Sequence, residues 1–332
     1  MPHVIVAGPI HDDGMAVLES RPDLTVEVLA TPDEAELRAR LPEADALLIR
    51  TARLPADAVQ AASRLCVVSR HGVGYDNVPV EALTEQGIPL TIIGNVNATT
   101  VAEHTLFFLM ALAKCGPRRD RAVRNGDWSV RNRIETWELA GKSLLLVGFG
   151  RIGREVARRA AAFDMEILAY DPLVDLETME AEGVRKVSDW RRCLGAVDAV
   201  SLHVPLTPET EGMIGKEELE AMRSTAVLIN AARGGLIDEN ALAEALEVGE
   251  IAGAGLDTLA DEPPAAGHPL LGLDGVIFSP HSAALTEECM ARMGVSSANN
   301  ILAALDGRLD PALVVNAEVL RQRKPAFQGE TK

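Results

Sequence analysis

The chain has 332 residues, 47% of them hydrophobic and 24% charged, a composition typical of folded proteins that excludes wholesale disorder. At roughly 150 residues per domain, this length predicts two domains. The 49 acidic residues outnumber the 32 lysines and arginines, and a net charge of −17 argues against non-specific binding to nucleic acid or anionic lipid, which needs a cationic surface.

The N-terminal part starts directly with a strand-like run and shows no basic leader with a cleavable apolar stretch. The longest apolar segment, near residues 105–113, is too short to span a bilayer. From these two features we expect a cytoplasmic protein. A first series of short apolar runs predicts the strands His3–Gly8, Thr25–Ala30, Asp45–Arg50, Leu65–Ser69 and Pro89–Ile93.

Two longer helical patterns, Thr100–Lys114 and Glu287–Leu305, flank a second series of apolar runs. This series predicts the strands Ser143–Gly148, Met165–Tyr170, Ala196–Val204, Ala226–Asn230, Ala252–Asp257 and Gly275–Ser279. Strands that are apolar throughout and alternate with helices predict doubly wound parallel sheets, hence an α/β fold. In the simplest arrangement, residues 100–284 form one domain inserted into another, which consists of residues 1–99 and 285–332.

The cysteines and histidines show no metal-ligand spacing. Cys66, Cys115, Cys193 and Cys289 lie far apart in the sequence, without a C-x-x-C pair. Two disulfides are arithmetically possible, but we expect isolated core thiols in a reducing compartment. We also expect no metal site.

A glycine-rich turn follows the first strand of the second series, with Gly148, Gly150 and Gly153 in a G-x-G-x-x-G pattern between a strand and a helix. In dinucleotide-binding proteins these glycines allow a tight turn, close approach of the pyrophosphate and close helix packing. Asp171 ends the next predicted strand about 20 residues later, where a carboxylate can accept both ribose hydroxyls and would repel a 2′-phosphate. The pattern predicts a Rossmann domain that prefers NAD to NADP. A structural glycine turn in a domain that binds no nucleotide is the alternative.

Several sequence blocks match one family in their order and spacing: Ser69–Asn77, Val101–His104, Gly148–Arg154, His203–Thr207, Asn230–Gly235, Leu256–Pro264 and Ser279–His281. Over nearly its whole length the chain resembles the D-isomer-specific 2-hydroxyacid dehydrogenases, which include D-3-phosphoglycerate dehydrogenase. The resemblance implies an NAD-dependent oxidoreductase that interconverts a small (R)-2-hydroxy acid and its 2-oxo acid by hydride transfer. It also implies that the Rossmann domain is inserted into a flavodoxin-like substrate domain.

The resemblance implies that Arg233, Glu262 and His281 are catalytic, and their chemistry suits the reaction. An arginine can hold the substrate carboxylate and polarise the carbonyl with its planar fork. A histidine titrates near neutral pH and can carry the proton, while a carboxylate behind it orients the imidazole and favours its charged form. All three residues follow predicted strands, at the side where open α/β sheets bind ligands. Taken singly, they have plainer interpretations: a solvated arginine, an exposed turn and a structural histidine.

The resemblance also implies further cofactor contacts: Arg151, Ile152, Pro172, His203, Val204, Pro205, Thr210, Ala231, Ala232, Asp257 and Ala283. The implied substrate-binding residues are Arg50, His71, Gly72, Val73, Gly74 and Arg233. Backbone N–H groups of the Gly72–Gly74 loop would meet the substrate carboxylate. We expect His104 to pack in the core or at an interface. The remaining histidines, His3, His11 and His268, are expected at the surface or in turns.

The identity of the substrate stays open. Arg50, Arg131 and Arg133 are candidates for binding a phosphate, a sulfonate or a second carboxylate on the substrate tail, or else they are solvated loop charges. Two features weaken phosphoglycerate as the substrate. The sequence from Pro280 to Ala284 departs from the His-Leu-Gly-Ala form of phosphoglycerate dehydrogenases, and the chain ends at residue 332 without room for an amino-acid-sensing domain.

An NAD(H)-sensing binding protein is the alternative from a different class, because corepressors related to this family share the fold and can retain the catalytic residues. The lack of long flanking tails counts against it. Formate dehydrogenase is disfavoured, since that family is expected to have Gln where Glu262 stands. The helix Val101–Ala113 and the loop Arg118–Trp137 resemble the family's dimerisation region and predict a homodimer, although an apolar helix can equally be internal core.

Overall fold

The computed structural model describes residues 1–321, which form two compact units. The first unit comprises Met1–Asn97 and the described residues from Leu285 onward, and the second unit, Ala98–Ala284, is inserted into it. Each unit is built on a sheet whose paired strands all run parallel. The α/β fold class predicted from the sequence is confirmed.

The strands are β1 His3–Ala7, β2 Thr25–Leu29, β3 Ala46–Ile49, β4 Val67–Arg70, β5 Leu90–Thr91, β6 Ser143–Val147, β7 Glu166–Tyr170, β8 Arg185–Lys186, β9 Ala199–Leu202, β10 Val227–Asn230, β11 Gly253–Leu256 and β12 Val276–Phe278. The helices are α1 Asp12–Glu19, α2 Glu34–Arg40, α3 Ala56–Ala61, α4 Val80–Glu85, α5 Ala98–Ala113, α6 Gly116–Arg124, α7 Arg151–Ala161, α8 Leu176–Ala181, α9 Lys216–Ala221, α10 Glu239–Val248 and α11 Glu287–Leu305.

The strand orders identify both sheets. The first unit has the order β2-β1-β3-β4-β5, which is the flavodoxin-like order. The second unit has the order β12-β11-β10-β9-β6-β7-β8, which is the Rossmann order with one more parallel strand at the edge. Each order reverses at one point, between β1 and β3 in the first sheet and between β6 and β9 in the second. Doubly wound sheets bind ligands beyond the carboxyl ends of the strands at such a point.

Both faces of each sheet are buried, which explains why the strands are apolar throughout. In β6, Leu144 and Leu146 pack into one hydrophobic cluster, while Leu145 and Val147 pack into another on the opposite face. In β1 of the first unit, Val4 and Ile5 are likewise buried in different clusters. The buried sheets are rigid, and they therefore fix the positions of the polar loops that follow the carboxyl ends of the strands.

Every strand predicted from the sequence is present, with ends shifted by a few residues, and one observed strand, β8, was not predicted. β8 has only two residues, both basic, so it carries no apolar signal. The Arg118–Trp137 segment, expected to be a loop, is partly helical: it contains most of α6 and a 3-10 helix at Trp128–Asn132. That prediction was wrong because α6 buries none of its residues and so shows no apolar stripe; an Arg124–Asp120 ion pair of 2.8 Å supports it instead.

Within the described part of the chain, no helix combines the length and the apolar character needed to cross a membrane. The four cysteines, all within residues 1–321, form no disulfide. Cys289 is buried and the other three are half-buried.

Candidate active site

The glycine-rich turn connects β6 to α7, and two of its glycines are required by the fold itself. Gly148 has φ +102°, and an added Cβ would lie 2.4 Å from the carbonyl oxygen of His203. A Cβ on Gly153 would lie 2.4 Å from the carbonyl oxygen of Gly148. Any side chain at either position would push the loop after β9 or the helix α7 away from the turn.

Gly150 is different, because neither its backbone nor its packing requires glycine. Its φ is −80°, and no atom of residues 1–321 lies within 4 Å of an added Cβ. It is exposed and forms the N-cap of α7 without any side-chain hydrogen bond to the first turn, where Arg151 and Ile152 follow. The free N–H groups of a helix start attract anions. Open space above a glycine at this position fits the close approach of a dinucleotide pyrophosphate.

Asp171 lies directly beside this turn, at the end of β7. Its Oδ2 accepts a hydrogen bond from the N–H of Phe149 at 2.9 Å, and its Oδ1 accepts one from the N–H of Leu173 at 2.8 Å. Each carboxylate oxygen has a further lone pair, so the group retains capacity for ribose hydroxyls. The neighbouring Pro172 is exposed. The residues present therefore fit NAD.

The loop after β9 faces the glycine turn through the His203 carbonyl. The Nε2 of His203 and the hydroxyl of Ser201 form a hydrogen bond of 2.9 Å, and burial lowers the pKa of His203 to about 4, so the imidazole is neutral at pH 7. Thr210 closes the loop, because its hydroxyl donates to the carbonyl of Pro205 at 2.7 Å. Val204 is half-buried between these anchors.

Arg233 stands on a turn fixed by a buried asparagine at the end of β10. The side chain of Asn230 accepts from the N–H of Ala232 at 3.0 Å and donates to the carbonyl of Arg233 at 2.7 Å. The guanidinium donates to the carbonyl of Ala232 at 2.6 Å, and the side chain is half-buried. Ala231, also half-buried, completes the turn. Directly after it, Gly234 packs so tightly that a Cβ would lie 2.0 Å from the backbone of Leu259.

Glu262 and His281 form a pair in the second unit. The Nδ1 of His281 lies 2.8 Å from Oε2 of Glu262, and the other carboxylate oxygen accepts from the N–H of Leu259 at 3.1 Å. The side chains are 49% and 39% exposed. Since a carboxylate can only accept, the Nδ1 of His281 carries the proton of this hydrogen bond. The hydrogen bond to Glu262 therefore uses Nδ1 and not Nε2.

Asp257, expected near the cofactor, is 3% exposed and holds the backbone that follows His281. Its carboxylate accepts from the N–H groups of Ser282 at 2.8 Å and of buried Ala283 at 3.0 Å, and from the hydroxyl of Ser279. A contact of Asp257 or Ala283 with the cofactor stays a prediction. The sequence reasoning missed Ser279; its place at the end of β12, two residues before His281, was the available signal.

In the first unit, the expected substrate residues lie at the carboxyl ends of β3 and β4. Arg50 follows β3 and donates to the carbonyl of Pro9 at 3.2 Å. His71 follows β4 and is only 3% exposed; burial, then the charges of Arg50 and Arg70, lower its pKa to about 4.

Arg70, which the sequence reasoning missed, donates to the carbonyl of His71 at 2.8 Å. An added Cβ on Gly72, which starts the half-buried loop through Val73 and Gly74, would lie 2.9 Å from the Arg70 guanidinium.

The remaining candidates, Arg131 and Arg133, belong to the segment that follows α6. Arg131 and Arg133 are exposed, and the carbonyl of Arg133 accepts from the guanidinium of Arg119 at 2.8 Å. A role for them in substrate binding stays a prediction. Within residues 1–321 no group of three His, Cys, Asp or Glu side chains is arranged to hold a metal ion.

Comparison with known proteins shows which molecules the chain resembles. Residues 106–283 match the NAD-binding domain of the D-isomer-specific 2-hydroxyacid dehydrogenases. D-3-phosphoglycerate dehydrogenase from Methanocaldococcus jannaschii is 40% identical over 325 residues, covering 98% of this chain and 61% of that protein. Glyoxylate reductase from Korarchaeum cryptofilum is 39% identical over 332 residues, covering 98% of this chain and 99% of that protein.

Among solved structures, D-lactate dehydrogenase from Aquifex aeolicus, complexed with NAD and lactic acid, has a TM-score of 0.86 and 28% identity, covering 95% of this chain and 99% of that one. The chain spans about three fifths of the length of the phosphoglycerate dehydrogenases that it matches.

Proposed function

The chain belongs to the D-isomer-specific 2-hydroxyacid dehydrogenase family, and from this we propose that it is an NAD-dependent oxidoreductase that interconverts a small (R)-2-hydroxy acid and its 2-oxo acid. The observation that carries the proposal is the 2.8 Å pair of His281 and Glu262 in the same unit as the glycine-rich turn. A protein that only binds dinucleotide needs the turn but not a histidine held by a carboxylate.

The cofactor would be held by the turn Gly148–Gly153, the start of α7 and Asp171. When bound, NAD supplies the acceptor or donor of the hydride at C2 of the substrate. The carboxylate of Asp171 supports NAD over NADP, because it would repel a 2′-phosphate. The open space above Gly150 supports a pyrophosphate at the helix start.

His281 moves the proton in the proposed reaction. Glu262 accepts a hydrogen bond from the Nδ1–H of His281 and so fixes the orientation of the ring. The Nε2 would give its proton to the carbonyl oxygen of the 2-oxo acid during reduction, and would take the proton of the hydroxyl group during oxidation. The Glu262 carboxylate stabilises the imidazolium that carries this proton.

Arg233 would bind the substrate carboxylate. Its guanidinium donates to the carbonyl of Ala232, and the planar fork of an arginine matches a carboxylate with two parallel hydrogen bonds. The same positive charge polarises the neighbouring carbonyl, on which negative charge develops as hydride arrives.

Phosphohydroxypyruvate is a second candidate substrate, supported by the 40% identity to a D-3-phosphoglycerate dehydrogenase. The test is NADH oxidation, followed by absorbance, with glyoxylate, hydroxypyruvate, phosphohydroxypyruvate and 3-sulfopyruvate. We expect saturable turnover with at least one of them. Saturable NADH binding without turnover on any would contradict the proposal and favour an NAD(H)-sensing binding protein.

We also infer a cytoplasmic homodimer. Exposed apolar side chains on α5 and in the following segment support the dimer: Phe107 is 51%, Trp128 65% and Ile134 98% exposed. Light scattering after gel filtration should give twice the mass of the chain, and a monomer at micromolar concentration would contradict this assembly.

A further inference from the structure

A chain of hydrogen bonds in the second unit runs from helix α5 to the loop that carries His281. The Nε2 of His104 lies 2.8 Å from the hydroxyl oxygen of Ser279. That hydroxyl donates to Oδ1 of Asp257 at 2.5 Å. The proposed roles of Arg233, Glu262 and His281 make no use of His104 or of Ser279.

The direction of this chain follows from counting protons. A serine hydroxyl has one hydrogen, and because the carboxylate of Asp257 can only accept, Ser279 donates its hydrogen there. The hydroxyl oxygen must then accept from His104, so His104 carries its proton on Nε2. Burial lowers the pKa of His104, and the Asp257 carboxylate acts in the opposite direction more weakly, which leaves the ring neutral at pH 7.

The carboxylate at the end of this chain fixes the backbone around His281. Asp257 accepts from the N–H groups of Ser282 and Ala283, and its own carbonyl accepts from the N–H of His281 at 2.7 Å. His281 has φ +51°, a left-handed conformation that a non-glycine residue adopts only when its surroundings hold it. The orientation of the imidazole therefore depends on how firmly Asp257 is itself held.

Apart from the Ser279 hydroxyl and the Asp257 carboxylate, whose Oδ1 lies 4.0 Å from Nε2, the surroundings of the His104 ring within residues 1–321 are aromatic. Its ring packs edge-on against Phe108, with centroids 4.6 Å apart, and beside Phe107 at 5.5 Å. Its side chain is 21% exposed. A leucine would fill the same apolar space without the free-energy cost of burying a polar ring. In His104 the hydrogen bond to Ser279 offsets that cost.

We propose that His104 is a positioning residue for the acid–base reaction, acting through Ser279 and Asp257 on the loop of His281. This inference rests on the proposed function. Within residues 1–321, no hydrogen bond or ion pair joins His104 to the His281 imidazole or to Glu262. The hydrogen bond that His104 donates orients the Ser279 hydroxyl toward Asp257. Asp257 in turn keeps the His281 backbone in its left-handed conformation.

The test compares variants of the full-length protein. His104→Leu removes the donor and keeps the apolar packing, whereas His104→Gln restores an N–H donor at a similar distance from the backbone. Thr105→Val is the matched control on the same helix: Thr105 is buried, and its hydroxyl donates to the Val101 carbonyl of α5 at 2.9 Å. Thermal melting of each variant checks the fold.

We expect His104→Leu to lower kcat about tenfold, with the KM for NADH unchanged, because a displaced catalytic group slows the chemical step more than it weakens cofactor binding. His104→Gln should recover most of this loss, and Thr105→Val should keep the wild-type kcat. Ser279→Ala should lower kcat at least as far. The double variant of His104→Leu and Ser279→Ala should be no slower than Ser279→Ala alone, because both residues act through the same series of hydrogen bonds to Asp257.

Two results would overturn the inference: wild-type kcat in His104→Leu, or an equal loss in Thr105→Val. If His104→Leu does not fold, wild-type kcat in Ser279→Ala would overturn the inference, and so would a folded His104→Gln variant that is as slow as Ser279→Ala. The ¹⁵N NMR spectrum of the imidazoles gives a readout that does not depend on turnover. His104 should be the neutral Nε2–H tautomer in this spectrum, and an Nδ1–H tautomer would contradict the proposed hydrogen bond from His104 to Ser279. A wild-type protein inactive on every 2-oxo acid would instead reject the proposed function.

Discussion

Two histidines that the proposed reaction does not use are kept neutral by the fold. Burial lowers the pKa values of His71 and His203 to about 4, whereas the unfolded chain binds their protons near pH 6.5. As the pH falls from 6.5 to 4, the unfolded state takes up protons that the folded state does not. The free energy of unfolding therefore decreases over this window and is unaffected by these groups above it.

Replacing His71 by Gln should reduce this pH dependence. Between pH 7 and pH 4.5 the wild-type free energy of unfolding should fall by on the order of 2 kcal/mol more than that of His71→Gln, because the variant has no proton to gain at this position. Urea denaturation at the two pH values measures the difference. Equal losses in both proteins would show that His71 is not kept neutral in the folded state.

The charge of Glu262 should matter more than its hydrogen bond. Glu262→Gln keeps an acceptor for the Nδ1 hydrogen of His281 but removes the negative charge that stabilises the imidazolium. We expect kcat to fall by roughly 10- to 100-fold with an unchanged Kd for NADH. Steady-state kinetics and fluorescence titration test this, and a variant as fast as wild type would exclude an electrostatic role for Glu262.

At the residue scale, the sequence indicates which residue types the reaction needs, but not what holds them. Arg233, Glu262 and His281 could be proposed from their motifs, and the structure brings Glu262 and His281 within 2.8 Å. Ser279, Arg70 and the hydrogen bond of His104 were not predicted. Each depends on contacts between residues that are distant in the chain or on a backbone turn, and hydrophobic periodicity carries no information about either.

At the scale of elements, the glycine-rich turn separates what the fold needs from what a ligand needs. Gly148 and Gly153 leave no room for a side chain, since a Cβ on either would lie 2.4 Å from a backbone oxygen. Gly150 has room for one and an ordinary φ. The sequence pattern predicts a tight turn at the first glycine, pyrophosphate approach at the second and helix packing at the third, and the structure adds the distances that require glycine at the first and third positions.

Gly150→Ala and Gly153→Ala should therefore differ. Gly150→Ala should melt at the wild-type temperature but bind NADH at least tenfold more weakly, because the methyl group occupies the space of the pyrophosphate. Gly153→Ala should lose about 1–3 kcal/mol of stability as well, since α7 must move away from the turn. Calorimetry and NADH titration separate the two effects. Wild-type NADH affinity in Gly150→Ala would contradict the assigned cofactor position.

Elements with a strong apolar pattern were the predictable ones. The last helix, α11, has the predicted bounds Glu287–Leu305, because its apolar stripe is long and the Thr286 hydroxyl caps its start at 3.3 Å from the N–H of Cys289. The helix α6 and the two-residue strand β8 were missed. An ion pair stabilises α6, and pairing with β7 stabilises β8. Neither interaction produces a periodic pattern of apolar residues in the sequence.

At the scale of the whole molecule, a net charge of −17 coexists with a proposed site for an anionic cofactor and an anionic substrate. Exposed charges are screened beyond about 8–10 Å at physiological salt, so the total charge has little effect on a bound group. In the proposed site, the start of α7 and the guanidinium of Arg233 would act at contact distance. Acidity therefore argues against polyanionic partners without excluding small anions.

The second unit should bind NADH by itself. Ala98–Ala284 is continuous in sequence, has its own hydrophobic clusters on both faces of its sheet, and contains every residue proposed to hold the cofactor. A fragment of residues 98–284 should melt cooperatively and bind NADH within about tenfold of the full-length affinity. A folded fragment without NADH affinity would mean that the cofactor site needs residues of the first unit.

The central claim is that His281 transfers the proton while the glycine-rich turn holds the cofactor. Its most direct test is kcat for the best 2-oxo acid in wild type and His281→Ala, together with the Kd for NADH. Loss of the proton donor should lower kcat by about 10²–10⁴-fold and leave the Kd unchanged. Equal turnover in the two proteins would contradict the mechanism.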